Sequence, residues 1–213
     1  MDFLYKPPKL IKQIFPGIIW DNEENEILIT IDDGPSENTG KILEILDRFG
    51  MRAVFFCTGK NIEKHQNEFK CIIKAGHSAQ NHGYRHRNMI FKSYKETSSD
   101  IRRTNEMIKD ITGQLPVLFR PPYGWFNINT IRSVSDNGMK MMLWTVMSGD
   151  HTGDFATVRR LTDSYLTDNS IIVLHDNKKS LTVFDQSLEY IVKTAAERKI
   201  SFSLERRSSE KGQ

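Results

Sequence analysis

Two carboxylates stand side by side in ILITIDDGPSENTG, Asp32 and Asp33, at the end of an apolar run and directly before a Gly-Pro turn. Successive strand side chains point to opposite faces, so the pair diverges and each member can hold a separate job. Further on, NHGYRH carries His82 and His86 four residues apart. On a helical turn that spacing puts both imidazoles on one face. Two neutral imidazoles and one aspartate make the three-ligand kind of site that leaves a catalytic zinc open to water. Asp33, in the turn, can bend toward the metal, while Asp32 stays free as general base over the metal-bound water. Each piece has an ordinary alternative: solvated histidines on a surface turn, and an Asx turn capping the next helix. A cap accounts for one aspartate but not for both.

Two other stretches carry reactive groups. LFRPPYG puts Arg120 at a strand end before a stiff turn. A guanidinium fork can hold a carboxylate bidentately and so fix a catalytic aspartate. The prolines fix the loop, so a backbone N–H beyond them can donate to an oxyanion. A structural salt bridge accounts for Arg120 equally well. IIVLHD ends a buried-type strand in His175, placed to act as general acid for a leaving amine or alcohol. Asp150, at the end of the preceding strand, can orient that imidazole and raise its pKa. A rim histidine and a helix cap are the alternatives. His65 reads as surface, His77 as structural, and His151 has a weaker claim to a role.

These residues need a scaffold that gathers them. Strand-like apolar runs recur at 27–32, 53–57, 77–80, 117–120, 141–146, 171–175 and 200–204. Helical periodicity lies between them, in Ile42 to Phe49, Ile62 to Ile73, a long segment ending at Met107 to Ile111, Val158 to Tyr165, and Leu188 to Ala195. Turn signals at Gly50, Gly76, Gly113 and Gly138 close helices. Strand and helix alternate about seven times, which means a parallel sheet in an α/β fold. Seven units in one domain suit a closed or nearly closed (β/α) barrel, whose chemistry sits at the C-terminal ends of its strands. Asp32 and Asp33, His82 and His86, Arg120, Asp150, and His175 with Asp176 all fall at predicted strand ends.

The bulk numbers agree with a single catalytic domain. The chain has 213 residues with 30 basic and 27 acidic side chains, a net charge of +3. That excess is too small for a nucleic-acid partner. Two cysteines make neither a disulfide scaffold nor a cysteine metal site. No run is long enough to span a membrane, and the N-terminus, broken by Pro7, Pro8 and Pro16, has no apolar signal core. A cytoplasmic location is therefore the default and a monomer is expected. Residues 1–25 read as an extension packed on the domain, 26–204 as the catalytic domain, and 205–213 as a frayed tail.

Taken in order, TIDDGP, HGYRH, RPPYG, SGD and VLHD resemble the five motifs of the polysaccharide deacetylases, the NodB-homology domain or carbohydrate esterase family four. The resemblance covers roughly Glu26 to Leu204. It implies a distorted (β/α) barrel of about seven parallel strands and metal-dependent removal of acetyl groups from N-acetylated, sometimes O-acetylated, sugars. By the same resemblance Asp32 is the base, Asp33, His82 and His86 the metal ligands, and Arg120 the residue that holds the base. Tyr123 offers the oxyanion-binding N–H, and Asp150 tunes His175, the acid. The metal is one divalent ion, zinc first, with cobalt, nickel or manganese able to occupy the site. Pro122, Trp144, His151 and Val173 complete the set as expected substrate contacts. Four of the five motifs depart from the family pattern, at five positions. Ile31 stands for Phe and Gly83 for Ser or Thr. Met147 and His151 replace the first Asp and the Trp of the fourth motif, and Val173 replaces Leu. The last changes touch the wall of the acetyl pocket. O-acetyl ester or cyclic amide hydrolysis on the same barrel is the alternative activity, and a non-catalytic glycan-binding protein is a third reading.

Overall fold

The computed structural model describes residues 5–203. In chain order the elements are α1 (Lys9–Ile14), β1 (Leu28–Asp32), α2 (Thr39–Arg48), β2 (Val54–Cys57), α3 (Gly59–Lys64), α4 (Gln66–Lys74), β3 (Ser78–Asn81), α5 (Tyr94–Thr112) and β4 (Leu118–Phe119). There follow α6 (Ile128–Asp136), β5 (Lys140–Met141), β6 (Val146–Met147), α7 (Phe155–Tyr165), β7 (Ile171–His175) and α8 (Lys178–Glu197). The seven strands form one sheet in the order β5-β4-β3-β2-β1-β7-β6, and every pairing is parallel. The sheet curls into a distorted (β/α) barrel, as the alternation predicts.

The two faces of the central strands explain the curl. Ile29, Ile31, Phe55, Cys57, Ile172 and Leu174 turn outward and pack with Ile42, Leu46, Phe69, Ile72, Phe184 and Leu188 of the helices. Leu28, Val54, Phe56, Phe119, Ile171 and Val173 fill the interior with Ile18, Trp20 and Trp144. Both faces are buried, so β1 reads as a nearly unbroken apolar run. Its inward positions, two residues apart, are Leu28, Thr30 and Asp32; those of β7 are Ile171, Val173 and His175. Strand periodicity thus delivers Asp32 and His175 to the same rim, as paired residues of adjacent strands.

Three expectations fail in instructive ways. The run 141–146 is not one strand. Its start bonds β4 as β5 and its end bonds β7 as β6, so a single segment crosses between the two edges of the sheet. Ile19 of the N-terminal segment inserts at that crossing: its N–H donates to the Met141 carbonyl (2.9 Å) and its carbonyl accepts from the Leu143 N–H (2.8 Å). The segment 200–204 forms only a bridge between Phe202 and Ile27, where Ile27 precedes β1; Leu204 and the expected tail 205–213 lie outside the described residues. The single helical face from Ile62 to Ile73 is two helices, α3 and α4, meeting at His65. Helix α1 is additional, and α6 is the helix that the turn signal at Gly138 closes, without an apolar face among those expected. The start of α6 has a further readable signal, a capping box of Asn127 and Thr130. The four glycines expected to close helices all adopt positive φ, between 64° and 82°. Among the described residues no helix is long and apolar enough to cross a membrane.

Candidate active site

Asp33 follows β1 directly, with φ at 76°. That left-handed backbone turns its side chain away from the course of the strand. His82 follows β3, and its loop carries His86 with φ at 49°. The expected helical turn is absent: residues 82–86 are a bend, and positive φ at Gly83 and His86, not a shared helix face, brings the two imidazoles together. Their ring centroids are 5.1 Å apart. Tyr123, in the turn after β4, has φ at 61° and its ring lies 4.6 Å from that of His86. Among the described residues, three of the five non-glycine residues with positive φ therefore belong to this site. Such strain persists where surrounding structure holds it, and it gathers at functional sites.

The ligand atoms of Asp33, His82 and His86 all lie within 4.8 Å of one another. Asp33 Oδ1 is 3.0 Å from His86 Nε2 and 3.7 Å from His82 Nε2. It is buried, and among the described residues no donor, the close His86 nitrogen included, meets it with hydrogen-bond geometry. A buried carboxylate oxygen without a donor is costly, and a cation at the focus of the three groups would satisfy it. The electrostatics fit the same reading. Burial pushes the Asp33 carboxyl up, yet the imidazoles of His86, His175 and His82 hold it well below the usual carboxylate range. Burial takes His82 down to about 4, so it is a neutral imidazole. His82 Nδ1 donates to the Arg120 carbonyl at 2.8 Å, which leaves the Nε2 lone pair for the centre. Neither aspartate caps α2, whose N-cap is Asn38 without a side-chain bond.

Arg120 is fully buried. Its Nη1 donates to Asp32 Oδ1 and to Thr30 Oγ1, both at 2.7 Å, its Nη2 to the Leu143 carbonyl at 2.8 Å, and its Nε to the Met142 carbonyl at 3.3 Å. Its guanidinium carbon lies 4.0 Å from the centre of the Phe56 ring. The hold on Asp32 is thus monodentate rather than the expected fork. The other donors are spent on the chain crossing between β5 and β6, whose carbonyls lack ladder partners there. One side chain fixes Asp32 and pins the place where the barrel changes edge. Asp32 Oδ2 remains 3.9 Å from His82 Nε2.

Asp150 is fully buried in a turn after β6, entered through Gly149 at φ 83°. Its Oδ2 accepts the His175 N–H (2.8 Å), and its Oδ1 pairs with His175 Nδ1 (2.7 Å) and accepts from Ser148 Oγ (2.9 Å). Burial alone would lower the His175 pKa. The Asp150 carboxylate overrides it and, with Asp33 and Asp32, carries it up to about 9. A group raised from 6.5 contributes stability that is whole below pH 6.5 and is lost as pH rises through 9. The metal-free protein should therefore lose roughly 3 kcal/mol across that window, at 1.36 kcal/mol per pKa unit. Urea denaturation at pH 6 and pH 9.5 checks this, and His175→Gln should flatten the difference.

The remaining expected residues are mostly buried, and among the described residues no contact ties Trp144 or Val173 to the three-ligand centre. Pro122 is buried in the turn that holds Tyr123. Trp144 is buried beneath Gly124, where any Cβ would meet its ring. Val173 is wholly buried in the barrel interior, two residues before His175 on the same strand face. His151 places its ring 5.2 Å from that of His175. Sequence reasoning missed several supports. Thr30 shares the inward face with Asp32 and was open to a period-two reading. Asn61 donates to the Asp33 carbonyl at 2.6 Å, and Asn81 accepts the Gly83 N–H at 2.6 Å. Asp176 takes the hydroxyls of Ser36 and Thr39, and so ties down the turn after Asp33.

The family profile described as polysaccharide deacetylase matches residues 21–142, more than half of the chain. The chain belongs to the polysaccharide deacetylase family. The match contains Asp32, Asp33, His82, His86 and Arg120 and ends before Asp150 and His175. A peptidoglycan-N-acetylglucosamine deacetylase of Bacillus cereus is 35% identical over 129 residues, 60% of this chain and 47% of that protein. The chain spans about half, or less, of the length of the curated relatives it matches first. Among solved structures, the Bc1960 peptidoglycan N-acetylglucosamine deacetylase, bound to an N-hydroxybenzamide, superposes with a TM-score of 0.83 at 26% identity, covering 90% of this chain and 92% of that one. A mutant of BA3943, a family pseudoenzyme with restored activity, superposes with a TM-score of 0.77 at 26% identity, over 86% of this chain and 68% of that one. Polysaccharide deacetylases thus include a member without native activity, and membership alone does not establish turnover.

Proposed function

We propose that the protein is a metal-dependent hydrolase that removes acetyl groups from N-acetylated sugars, with N-acetylglucosamine-containing oligomers or polymers as substrate. The observation that carries this reading is the unpartnered Asp33 oxygen between two imidazoles, with Asp32 and His175 paired across adjacent strands at the same rim. A divalent ion held by Asp33, His82 and His86, zinc first and cobalt, nickel or manganese after it, supplies Lewis-acid chemistry that acidifies water and polarises the acyl carbonyl.

The protein's own groups do the rest. Arg120 fixes one oxygen of Asp32, and the other takes the proton of the attacking water. The Tyr123 N–H, in the turn whose ring packs 4.6 Å from that of His86, serves the developing oxyanion. Asp150 keeps a proton on His175 near neutral pH, and His175 delivers it to the departing amine. The names of the relatives, peptidoglycan N-acetylglucosamine deacetylases, support the choice of substrate.

One observation favours a second reading. His151 stands where the family pattern has Trp, which makes the pocket wall more polar and keeps sugar O-acetyl esters in view. Acetate release from N-acetylglucosamine tetramers and from O-acetylated xylan oligomers, measured side by side with zinc-loaded protein, separates the two. Faster release from the amide is expected. Release from the ester alone would replace the first reading with the second, and release from neither, with one ion bound per chain, would leave a glycan-binding protein.

A further inference from the structure

A second group of donors lies beside the proposed acid. Asp150, His151 and His175 each offer one ligand atom, and these three atoms lie within 4.8 Å of one another. Asp150 and His175 satisfy each other, with help from Ser148. His151 is different. Its Nδ1 is buried and has no hydrogen-bond partner among the described residues. A buried polar atom left unpaired is costly, so the ring has a reason to take a ligand. Burial, then the charge of His175, lowers the His151 pKa. The ring is therefore neutral and has a lone pair to give. It is also held in place: Tyr5 stacks on it at 6.2 Å and 17°, and the Tyr5 carbonyl accepts the Met147 N–H at 2.9 Å. A Trp at position 151, as in the family pattern, has no lone pair to offer. The third donor is a property of this chain.

We propose that Asp150, His151 and His175 form a second, weaker divalent-cation site, and that filling it stops turnover by occupying the imidazole that must carry the proton. The donor set, two imidazoles and one carboxylate, matches that of Asp33, His82 and His86, and it favours zinc or a neighbouring transition metal over calcium or magnesium. On binding, a bond forms from the ion to His175, and the proton held there leaves to solvent. That lost proton weakens the site. A cation already held at Asp33 weakens it further, because Asp33 is close enough for its charge to act on both His151 and His175. The binding claim stands by itself; only the effect on turnover rests on the deacetylase reading.

Equilibrium dialysis against zinc, with bound ions counted per chain, tests the site without requiring activity. The unaltered protein should take up two ions, the second at least about tenfold more weakly. His151→Phe should take up one, and Asp33→Ala should keep only the weaker one. Where acetate release is measurable, it should fall over the range in which the second ion binds. A second ion retained at the same affinity by His151→Phe, or uptake of one ion only by the unaltered protein, would overturn the proposal. Should His151→Phe not fold, imidazole ¹⁵N shifts of the unaltered protein decide. Movement of His151 and His175 with the second equivalent supports the site, and movement confined to other histidines rejects it. Absence of acetate release would leave the ion count readable, so failure of the deacetylase reading and failure of this one are distinct.

Discussion

Asp32→Asn should lower kcat for acetate release by roughly 10²- to 10⁴-fold, the usual contribution of a general base, while metal content stays at the level of the unaltered protein. The two effects separate because Asp32 lies outside the group that would hold the ion. Asp33, His82 and His86 supply that group. Asp32 Oδ1 is committed to Arg120 at 2.7 Å. An asparagine oxygen can accept the same bond, so the buried guanidinium keeps its partner and the fold survives. Only the ability to take a proton is removed. Kinetics with metal counted in the same samples checks this. A rate within about threefold of the parent, far smaller than a base supplies, would mean that Asp32 is not the base. Loss of the ion along with the rate would mean that Asp32 is a ligand.

Arg120→Met should destabilise the protein by about 3–5 kcal/mol, the range for breaking a buried ion pair from one side. The side chain is fully buried, and the Asp32 side chain is only 6% exposed, so water cannot replace the lost donor. Thr30 Oγ1 and the Met142 and Leu143 carbonyls lose donors at the same time. The carbonyls belong to the segment that crosses from β5 to β6, so the damage reaches the closure of the barrel as well as the site. Arg120→Lys should recover little, because a compact ammonium on a flexible stem cannot reach acceptors spread on three sides. Denaturant titration measures the loss, and a change below about 1 kcal/mol, typical of exposed pairs, would contradict the role given to this residue.

Much of the site was readable because chemistry and strand ends coincide. Asp32, Asp33, Arg120, Asp150 and His175 each follow an apolar run, and a parallel barrel brings the C-terminal ends of such runs together. What was not readable depends on backbone geometry. The spacing of His82 and His86 has the same period on a helix as in a bend, and only the positive φ at Gly83 and His86 distinguishes them. The run MMLWTV is apolar throughout, so periodicity does not register that its hydrogen bonds pass from β4 to β7 halfway along. The expected two-point grip of Arg120 on Asp32 fails for a related reason. The carbonyls freed at that crossing compete for the guanidinium, and a competition among distant segments leaves no trace in local sequence. Ile18 and Trp20 belong to the proline-broken extension expected to pack on the domain; local sequence does not register that they enter the interior cluster, with Ile19 as the ladder partner at the crossing.

The most direct test of the central claim is the acetate released from N-acetylglucosamine tetramers as metal-free protein is titrated with zinc. Almost no release is expected at the start, with a rise to its maximum at one ion per chain that is absent in His82→Ala. Release that is independent of the metal, or no release from protein that holds one ion at Asp33, His82 and His86, would contradict it.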